Sequence, residues 1–255
     1  MQFADTALAR RLEEAEAAAA VVFGSQVLEV AGGRAVFAGV DSPLSQVVGI
    51  GLNGPVSRSE LNTLETFFYS RGSKVSIDLC PLADAALFRE LSRRSYRVAE
   101  FNNVLVRRLA GVEIVLTPRV RRAIAGEDDL WSHTVGHGFF EQPELTTEEM
   151  GVGRAVFAMP GAMCYLAVSE SGEPAGGGAL SIREGLATLF ADSTIPGFRG
   201  QGLHRELIAA RLNEALAQGC DIATASTQPA SGSQRNYERL GFEVAYTKVT
   251  LEKTR

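Results

Sequence analysis

The sequence predicts a mixed α/β fold of the α+β type, in which a mostly antiparallel sheet is flanked by helices. Three observations predict it. Short apolar runs typical of strands alternate with amphipathic helical patterns along the chain. Three strand patterns in the second half follow one another through short turns, which favours antiparallel pairing. Hydrophobic residues make up 45% of the chain and charged residues 22%, as in a globular protein with a buried core.

The first half begins with a helical pattern rich in Ala and Glu. Its strands are short apolar runs broken by turn-forming Gly, Asp, Ser and Pro. In its second helix the apolar residues recur on one face, after a serine that is a candidate cap. In chain order we predict a helix over 4–20, strands over 26–30, 34–40 and 46–52, a helix over 57–70, a strand over 74–79, a helix over 84–94 and one or two strands over 97–109.

The second half repeats a similar order of elements. Its longest helix, which ends at about residue 218, follows directly on the third of three consecutive strands. A threonine at 146 or 147 is a candidate cap for the helix before those strands. In chain order we predict a strand over 113–116, short helices over 119–125 and 130–134, a helix over 147–159, strands over 163–169, 175–183 and 186–194, the long helix, and a strand over 221–227 followed by a helix and a last strand.

The most informative feature is the turn that leads into the long helix. Arg199-Gly200-Gln201-Gly202 places two glycines where a strand becomes a helix. The first turn of a helix has unpaired backbone N–H groups and the positive end of the helix dipole, and glycine lets an anion approach them. The turn therefore predicts a phosphate or pyrophosphate site, although glycine spacing alone fits an ordinary tight turn equally well. Neither a P-loop nor a three-glycine dinucleotide motif is present.

A second motif further along the chain makes the pattern specific. Residues 199–204 match the [RQ]-x-x-G-x-[GA] motif of the GNAT superfamily of acyl-CoA-dependent N-acetyltransferases, except at His204. Residues 237–242 match the Tyr-x-x-Leu-Gly-Phe pattern of the same superfamily. Over residues 113–253 the chain therefore resembles this superfamily, which implies a GNAT-like fold.

The resemblance implies acetyl-CoA as the co-substrate. Its pyrophosphate would bind the backbone N–H groups at the start of the long helix, and its pantetheine arm would pair with the strand edge at 192–195. The side chain of His204 would either crowd the phosphates or bond to them, and Ser233 is expected to cap its helix. The residues assigned to the cofactor are Thr194, Ile195, Arg199, Gly200, Gln201, Gly202, Leu203, His204 and Asn236.

The implied reaction is transfer of the acetyl group to a primary amine by direct attack, without a covalent enzyme intermediate. Tyr237 matches the position of a tyrosine that many family members place near the CoA sulfur, so it is a candidate general acid; periodicity alone fits a core tyrosine equally well. The proton of the amine needs an acceptor. Asp192, on the strand beside the cofactor, is the first candidate, and Glu141 and His137 are alternatives.

Two further groups of residues are candidate site residues. His133 and His137 are spaced to bind a metal if they lie on a helix, but Gly136 and Gly138 argue against a stable helix there, and we expect no metal site. Aromatic residues precede the three strands, in the region that shapes the acceptor site of the family. They either line an acceptor pocket or belong to the core, and they are Trp131, Phe139 and Phe140.

The two halves of the chain look related. Residues 77–81 parallel residues 225–229, and residues 95–100 parallel residues 241–246. The first half lacks the glycine turn, and Pro55 removes an N–H donor from the equivalent stretch. We therefore predict two tandem copies, a degenerate N-terminal GNAT-like domain (1–111) and an acetyltransferase domain (112–255) with the single active site. The alternative is a chance likeness between two strand–helix–strand units.

Composition limits the partners. A net charge of −5 argues against a general binder of nucleic acid or of a membrane surface, and no apolar run approaches a membrane span. The three widely spaced cysteines, Cys80, Cys164 and Cys220, form no disulfide or metal pattern, which favours the cytoplasm. The expected acceptor is a small-molecule or peptide amine, and a homodimer is compatible with the sequence.

The alternative function is a CoA-binding or interaction protein whose catalytic residues have decayed. A tandem enzyme of the mycothiol-synthase kind, in which only the second copy works, is compatible with the acetyltransferase hypothesis. The sequence does not identify the amine.

Overall fold

The structure, a computed structural model, describes residues 5–40, 42–111, 114 and 118–255. The chain forms two compact units: residues 1–104 with residues 244–255, and residues 105–243. Within the described residues, no helix is long and apolar enough to cross a membrane.

The elements are named in chain order. They are α1 (Thr6–Phe23), β1 (Gln26–Val30), β2 (Gly33–Phe37), β3 (Gln46–Val48), α2 (Arg58–Tyr69), β4 (Val75–Leu79), α3 (Ala85–Arg93), β5 (Arg97–Arg108), β6 (Val120–Arg122), α4 (Asp128–Phe140), α5 (Thr147–Phe157), β7 (Met163–Val168), β8 (Pro174–Arg183), β9 (Leu186–Thr194), α6 (Leu203–Ala217), β10 (Ile222–Thr227), α7 (Gly232–Arg239) and β11 (Glu243–Lys253).

The first unit has the strand order β1-β2-β3-β4-β11, with β5 beside β11. The strand β3 pairs with β4 in parallel, whereas β1 with β2, β2 with β3 and β4 with β11 are antiparallel. The helix α2 begins at a capping box, in which Ser57 and Glu60 satisfy each other's backbone N–H groups. Its buried face packs into the apolar core of this unit through Leu61, Leu64 and Phe68.

The last strand differs from the sequence-based division, which assigned residues 112–255 to one domain. The strand β11 belongs to the first unit, because Val249 to Lys253 pair with β4 and Val249 and Leu251 pack against that unit's core. The order of elements along a chain does not reveal that its last strand belongs to the sheet of the first unit. That the first unit is a degenerate copy of the second remains a prediction.

The second unit confirms the predicted mixed fold with a mostly antiparallel sheet. Its strands lie in the order β10-β9-β8-β7-β6; neighbours from β6 to β9 pair antiparallel, and β10 pairs with β9 in parallel. The helix α6 buries Leu203, Leu207, Ile208 and Leu212 in the core of this unit. This packing fixes the N-terminus of α6 at the end of β9.

Two local predictions in this unit are wrong. Residues 119–125 contain no helix; instead β6 pairs with β7, so a non-local ladder decides the structure of this segment. The helix α4 runs through Gly136 and Gly138. A Cβ at Gly138 would lie 2.6 Å from Ser193 Oγ, so glycine permits the close approach of α4 to β9. The strand expected at 113–116 lies outside the described residues, apart from residue 114.

The first unit buries a charged cluster between α1 and β11. Tyr246 donates to Glu13 over 2.8 Å, and Lys248 Nζ lies 3.1 Å from Glu13 and 2.7 Å from Glu16. Burial raises the pKa of Glu13 to about 7, although the positive charge of Lys248 opposes the shift. The cluster joins the C-terminal strand to the first helix through ionic contacts.

This cluster predicts an unusual dependence of stability on pH. The unfolded chain releases the Glu13 proton near the ordinary value of 4.5, whereas the folded chain retains it up to about 7. The free energy of unfolding should therefore fall as pH rises through this interval, by at most on the order of 3 kcal/mol. In urea denaturation at several pH values, Glu13→Gln should lack this loss. The same pH dependence in both proteins would contradict the assignment.

Candidate active site

A cleft of about 840 Å³ opens in the second unit. Its walls are the C-terminal end of α4, the end of β9, the loop into α6 and the N-terminal part of α7. The lining residues include Gly138, Phe139, Glu141, Asp192, Ser193, Thr194, Phe198, residues 199, 200 and 202–205, Ser233, Asn236 and Arg239. Most residues that the sequence assigned to a cofactor therefore meet at one cavity.

The N-terminus of α6 faces this cleft without a cap. Gly200 and Gly202 have φ of 81° and 84°, in the left-handed region that favours glycine. Among the described residues no side chain caps α6, whereas Thr146 caps α5 and Ser231 caps α7. The backbone N–H groups of its first turn are therefore available to an anion. The cap of α7 is Ser231, not the predicted Ser233.

The strand β9 separates from β10 before it reaches the cleft. The parallel pairing covers only residues 186–188 of β9, opposite residues 222–224. Residues 189–194 continue beyond it along β8, with Thr194 on the cleft wall. Ile195, predicted to contact the cofactor, donates its N–H to Ala175 O of β8 over 2.9 Å, on the side of β9 away from β10. Within the described residues, the ladder between β9 and β10 does not continue beyond residue 188, so an edge of β9 is open beside the cleft.

Arg199 does not point towards the N-terminus of α6. Its guanidinium contacts Glu141 at 2.7 Å and donates to the backbone oxygens of Gly138 at 3.0 Å and Thr194 at 3.1 Å. These contacts join the end of α4 to the end of β9. The side chain therefore shapes the cleft wall, whereas the sequence suggested that it would bind phosphate.

Asp192 is held by a bulge in β9. Ala191 and Asp192 lie opposite the single residue Gly178 of β8, and Ala191 has a φ of 54°. The carboxylate forms an ion pair with Arg211 and accepts a hydrogen bond from the hydroxyl of Tyr237. The bulge therefore points this carboxylate towards the buried side of α6 and α7 as well as towards the cleft.

Arg211 is a site residue that the sequence analysis missed. Its side chain is 0% exposed, and it donates to Leu207 O over 3.0 Å and to Ala179 O over 2.9 Å, in addition to its ion pair with Asp192. The available signal was a single charged residue on the buried face of α6, between Leu207 and Leu212. A buried guanidinium needs a carboxylate partner, which chain order alone does not identify.

The ionisation of this group follows from its contacts. Burial opposes the charge on Asp192, but the charge of Arg211 and the hydrogen bonds from His204 and Tyr237 together outweigh burial and hold the pKa of Asp192 below its ordinary value. Burial and the neighbouring Asp192 raise the pKa of Tyr237 well above its ordinary value. Tyr237 is 1% exposed and packs edge-on against His204 and Phe242. Tyr237 does not line the cleft itself; its hydroxyl donates to Asp192, which does.

The side chain of His204 lies beside Asp192 on the wall of the cleft. Its Nε2 is 3.6 Å from Asp192 Oδ2, and its Nδ1 is 3.0 Å from Asn236 Nδ2. Arg239 donates to Asn236 Oδ1 over 3.3 Å, which sets the amide with its NH₂ towards the imidazole. The side chain of His204 thus takes part in the hydrogen-bond network around Asp192, whereas the sequence suggested that it would crowd the phosphates or bond to them.

The structure separates the other candidates. Trp131 is buried and donates to Tyr165 O, whereas Phe139 is 70% exposed on the cleft wall and stacks edge-on with Phe140. His137 lies on α4 beside His133, away from the lining of the cleft. In the described part of the chain, no group of three or more His, Cys, Asp or Glu is placed to hold a metal.

The bulge makes a prediction about Gly178. A Cβ at this position would lie 2.5 Å from Asp192 Oδ1 and 2.8 Å from Arg211 Nη1. Gly178→Ala should therefore lower the free energy of unfolding by about 1–3 kcal/mol through overpacking. Gly151→Ala is the matched control: a Cβ there meets nothing within 4 Å, and alanine favours the helix. Equal stability of the two variants in urea denaturation would contradict the close packing at Gly178.

The chain resembles known proteins in sequence and in fold. Residues 129–242 match the family model for the acetyltransferase (GNAT) family. A GCN5-related N-acetyltransferase from Kribbella flavida is similar in fold, with a TM-score of 0.69 and 18% identity over 97% of this chain and 96% of that one. No curated protein matches the sequence.

Two further structures share the fold at lower similarity. A GCN5-related N-acetyltransferase from Sphaerobacter thermophilus has a TM-score of 0.59 and 16% identity, over 76% of this chain and 66% of that one. A tandem GNAT protein from the clavulanic acid biosynthesis pathway has a TM-score of 0.59 and 14% identity, over 87% and 78%. The family match and the two motifs fall within the second unit, and these structures share its fold. Residues 129–242 of the second unit therefore match the acetyltransferase (GNAT) family, whose members transfer acyl groups from acyl-CoA.

Proposed function

We propose that the cleft transfers an acetyl group from acetyl-CoA to a primary amine by direct attack on the thioester. The observation that carries the proposal is the uncapped, glycine-lined N-terminus of α6 at the cleft, close to the ionised Asp192. Three residues carry over from the sequence prediction with revised roles, Asp192, Tyr237 and Arg199.

The positive end of the cleft fits a pyrophosphate. Backbone N–H groups of Gly200, Gln201, Gly202, Leu203 and His204 would supply the donors. Arg205 and Arg239 also line the cleft and add positive charge. The open edge of β9 at residues 189–194 suits an extended chain that carries amide groups, such as pantetheine, because such chains pair with strand edges.

Asp192 suits the amine end of the reaction. When an amine attacks a thioester, positive charge develops on the nitrogen, and a fixed anion nearby lowers the barrier. Because its pKa is lowered, Asp192 stays ionised. An ionised carboxylate is suited to stabilise the positive charge and is a weak base for the proton. Its predicted role as the base therefore becomes an electrostatic one. Tyr237, predicted as the acid for the leaving thiolate, becomes a positioning residue that donates to Asp192.

The amine itself is proposed only by class, as a small-molecule or peptide primary amine. Binding of acetyl-CoA should raise the melting temperature, by an amount equivalent to about 2.7 kcal/mol at a hundredfold excess over Kd. Release of the CoA thiol should then be measured with amino acids, peptides, polyamines and aminoglycosides as acceptors. No thermal shift would overturn the cofactor assignment. Binding without thiol release from any amine would favour the alternative, a CoA-binding protein with decayed catalysis.

The anion site predicts a charge-dependent affinity at Gln201. This exposed residue lies in the loop at the N-terminus of α6. Gln201→Glu should weaken acetyl-CoA binding by several-fold, and Gln201→Lys should strengthen it, since charges at a helix N-terminus contribute about 0.3–1 kcal/mol. Both effects should shrink at high salt. Calorimetric titration of the two variants compares opposite charges at one position, and equal affinities would contradict the site.

A further inference from the structure

His204 places a titratable ring at the cleft. Its side chain is 14% exposed and lines the cavity, whereas its Nε2 is buried and faces Asp192. The Nδ1 atom faces Asn236, another lining residue. The imidazole therefore connects the cleft to the buried carboxylate. The GNAT motif has Gly or Ala at this position, so the motif does not predict this arrangement.

The contacts select one tautomer of His204. Arg239 donates to Asn236 Oδ1, so the NH₂ of that amide donates to Nδ1. An Nδ1 that accepts a hydrogen bond carries no proton, and the neutral ring then holds its proton on Nε2, facing the carboxylate of Asp192. The imidazole lone pair that can accept a hydrogen bond is therefore on Nδ1, and the side-chain NH₂ of Asn236 already donates to it.

Asp192 is poorly placed to take a proton itself. Its two carboxylate oxygens are engaged by Arg211 on one side and by Tyr237 on the other. Both contacts favour the ionised form, which a proton acceptor would have to give up. A carboxylate held in this way orients a neighbouring imidazole and stabilises it when it becomes charged, as in other histidine–carboxylate pairs.

We propose that His204 accepts the proton of the attacking amine through Nδ1, with Asp192 and Asn236 as its positioning residues. This inference rests on the proposed acetyl transfer. The amine nitrogen forms a bond to the carbonyl carbon of the thioester, the carbon–sulfur bond breaks, and CoA leaves as the thiolate. The amine proton passes to Nδ1 and then to water. When the amine binds, its N–H group takes the place of the Asn236 side-chain N–H as the hydrogen-bond donor to Nδ1 of His204.

The groups around His204 compete poorly with the imidazole for the proton of the amine. Arginines stay protonated, the pKa of Asp192 is lowered and that of Tyr237 is raised. The charged and titratable groups around His204 are Asp192 on β9, Arg205 and Arg211 on α6, and Tyr237 and Arg239 on α7.

The tautomer can be tested without an acceptor. The chain has three histidines, so long-range ¹H–¹⁵N spectra of the ¹⁵N-histidine-labelled protein should resolve His204, with His204→Gln to assign its signals. We expect the Nε2–H form, which Asn236→Ala should convert into a mixture with the Nδ1–H form. An Nδ1–H ring in the native protein would overturn the geometry of the proposal.

The catalytic role is tested with the amine that the panel acetylates fastest. His204→Gln should lower kcat/KM by about 10²–10⁴-fold, with acetyl-CoA affinity unchanged because the backbone N–H is retained. His137→Gln is the matched control and should keep the native rate. If His204→Gln keeps the native rate, this proposal fails and the proposed function stands. If no amine is acetylated, the proposed function fails, and the base assignment fails with it.

Discussion

The buried pair between Asp192 and Arg211 is the interaction on which the rest of the site depends. A fully buried guanidinium is stable only with a partner charge and satisfied donors, and Arg211 obtains both from β9, from Ala179 O and from its own helix. This requirement fixes where α6 lies on the sheet. It also accounts for the bulge that turns Asp192 towards α6 and for the absence of a side chain at Gly178.

The pair also sets the electrostatics of the cleft. The same helix that carries Arg211 presents its positive N-terminus to the cavity, and the carboxylate that Arg211 holds lies beside it. In the proposed reaction, the phosphates and the amine would have separate binding regions within one cleft. His204 lies on α6, just after the glycine turn. A change that moved α6 would thus disturb the proposed anion site and the proposed proton acceptor together.

Local patterns in the sequence were sufficient for the elements that depend on local chemistry. The strands at residues 26–30 and 186–194 were predicted with the bounds that the structure shows, because each apolar run ends at turn residues. The glycine turn was predicted for the same reason, since two left-handed residues in a loop before a helix require glycine. The fold of the second unit followed from these signals and from the resemblance to the GNAT superfamily.

Features that depend on distant partners could not be predicted. The strand β6 exists because it pairs with β7, and α4 tolerates Gly138 because β9 approaches it there. The role of Arg211 requires knowledge of the residue opposite it, and the placement of β11 in the first unit requires knowledge of its pairing with β4. In each case the deciding contact joins residues that are far apart in the chain.

A double-mutant cycle on the central ion pair tests this account most directly. Arg211→Met should lower the free energy of unfolding by about 3–5 kcal/mol, because it leaves Asp192 buried without its counter-charge. Adding Asp192→Asn should restore part of that loss, so that the double variant is more stable than the sum of the single effects by at least about 1 kcal/mol. Additive effects of the two substitutions in urea denaturation would contradict the claim that this pair organises the site.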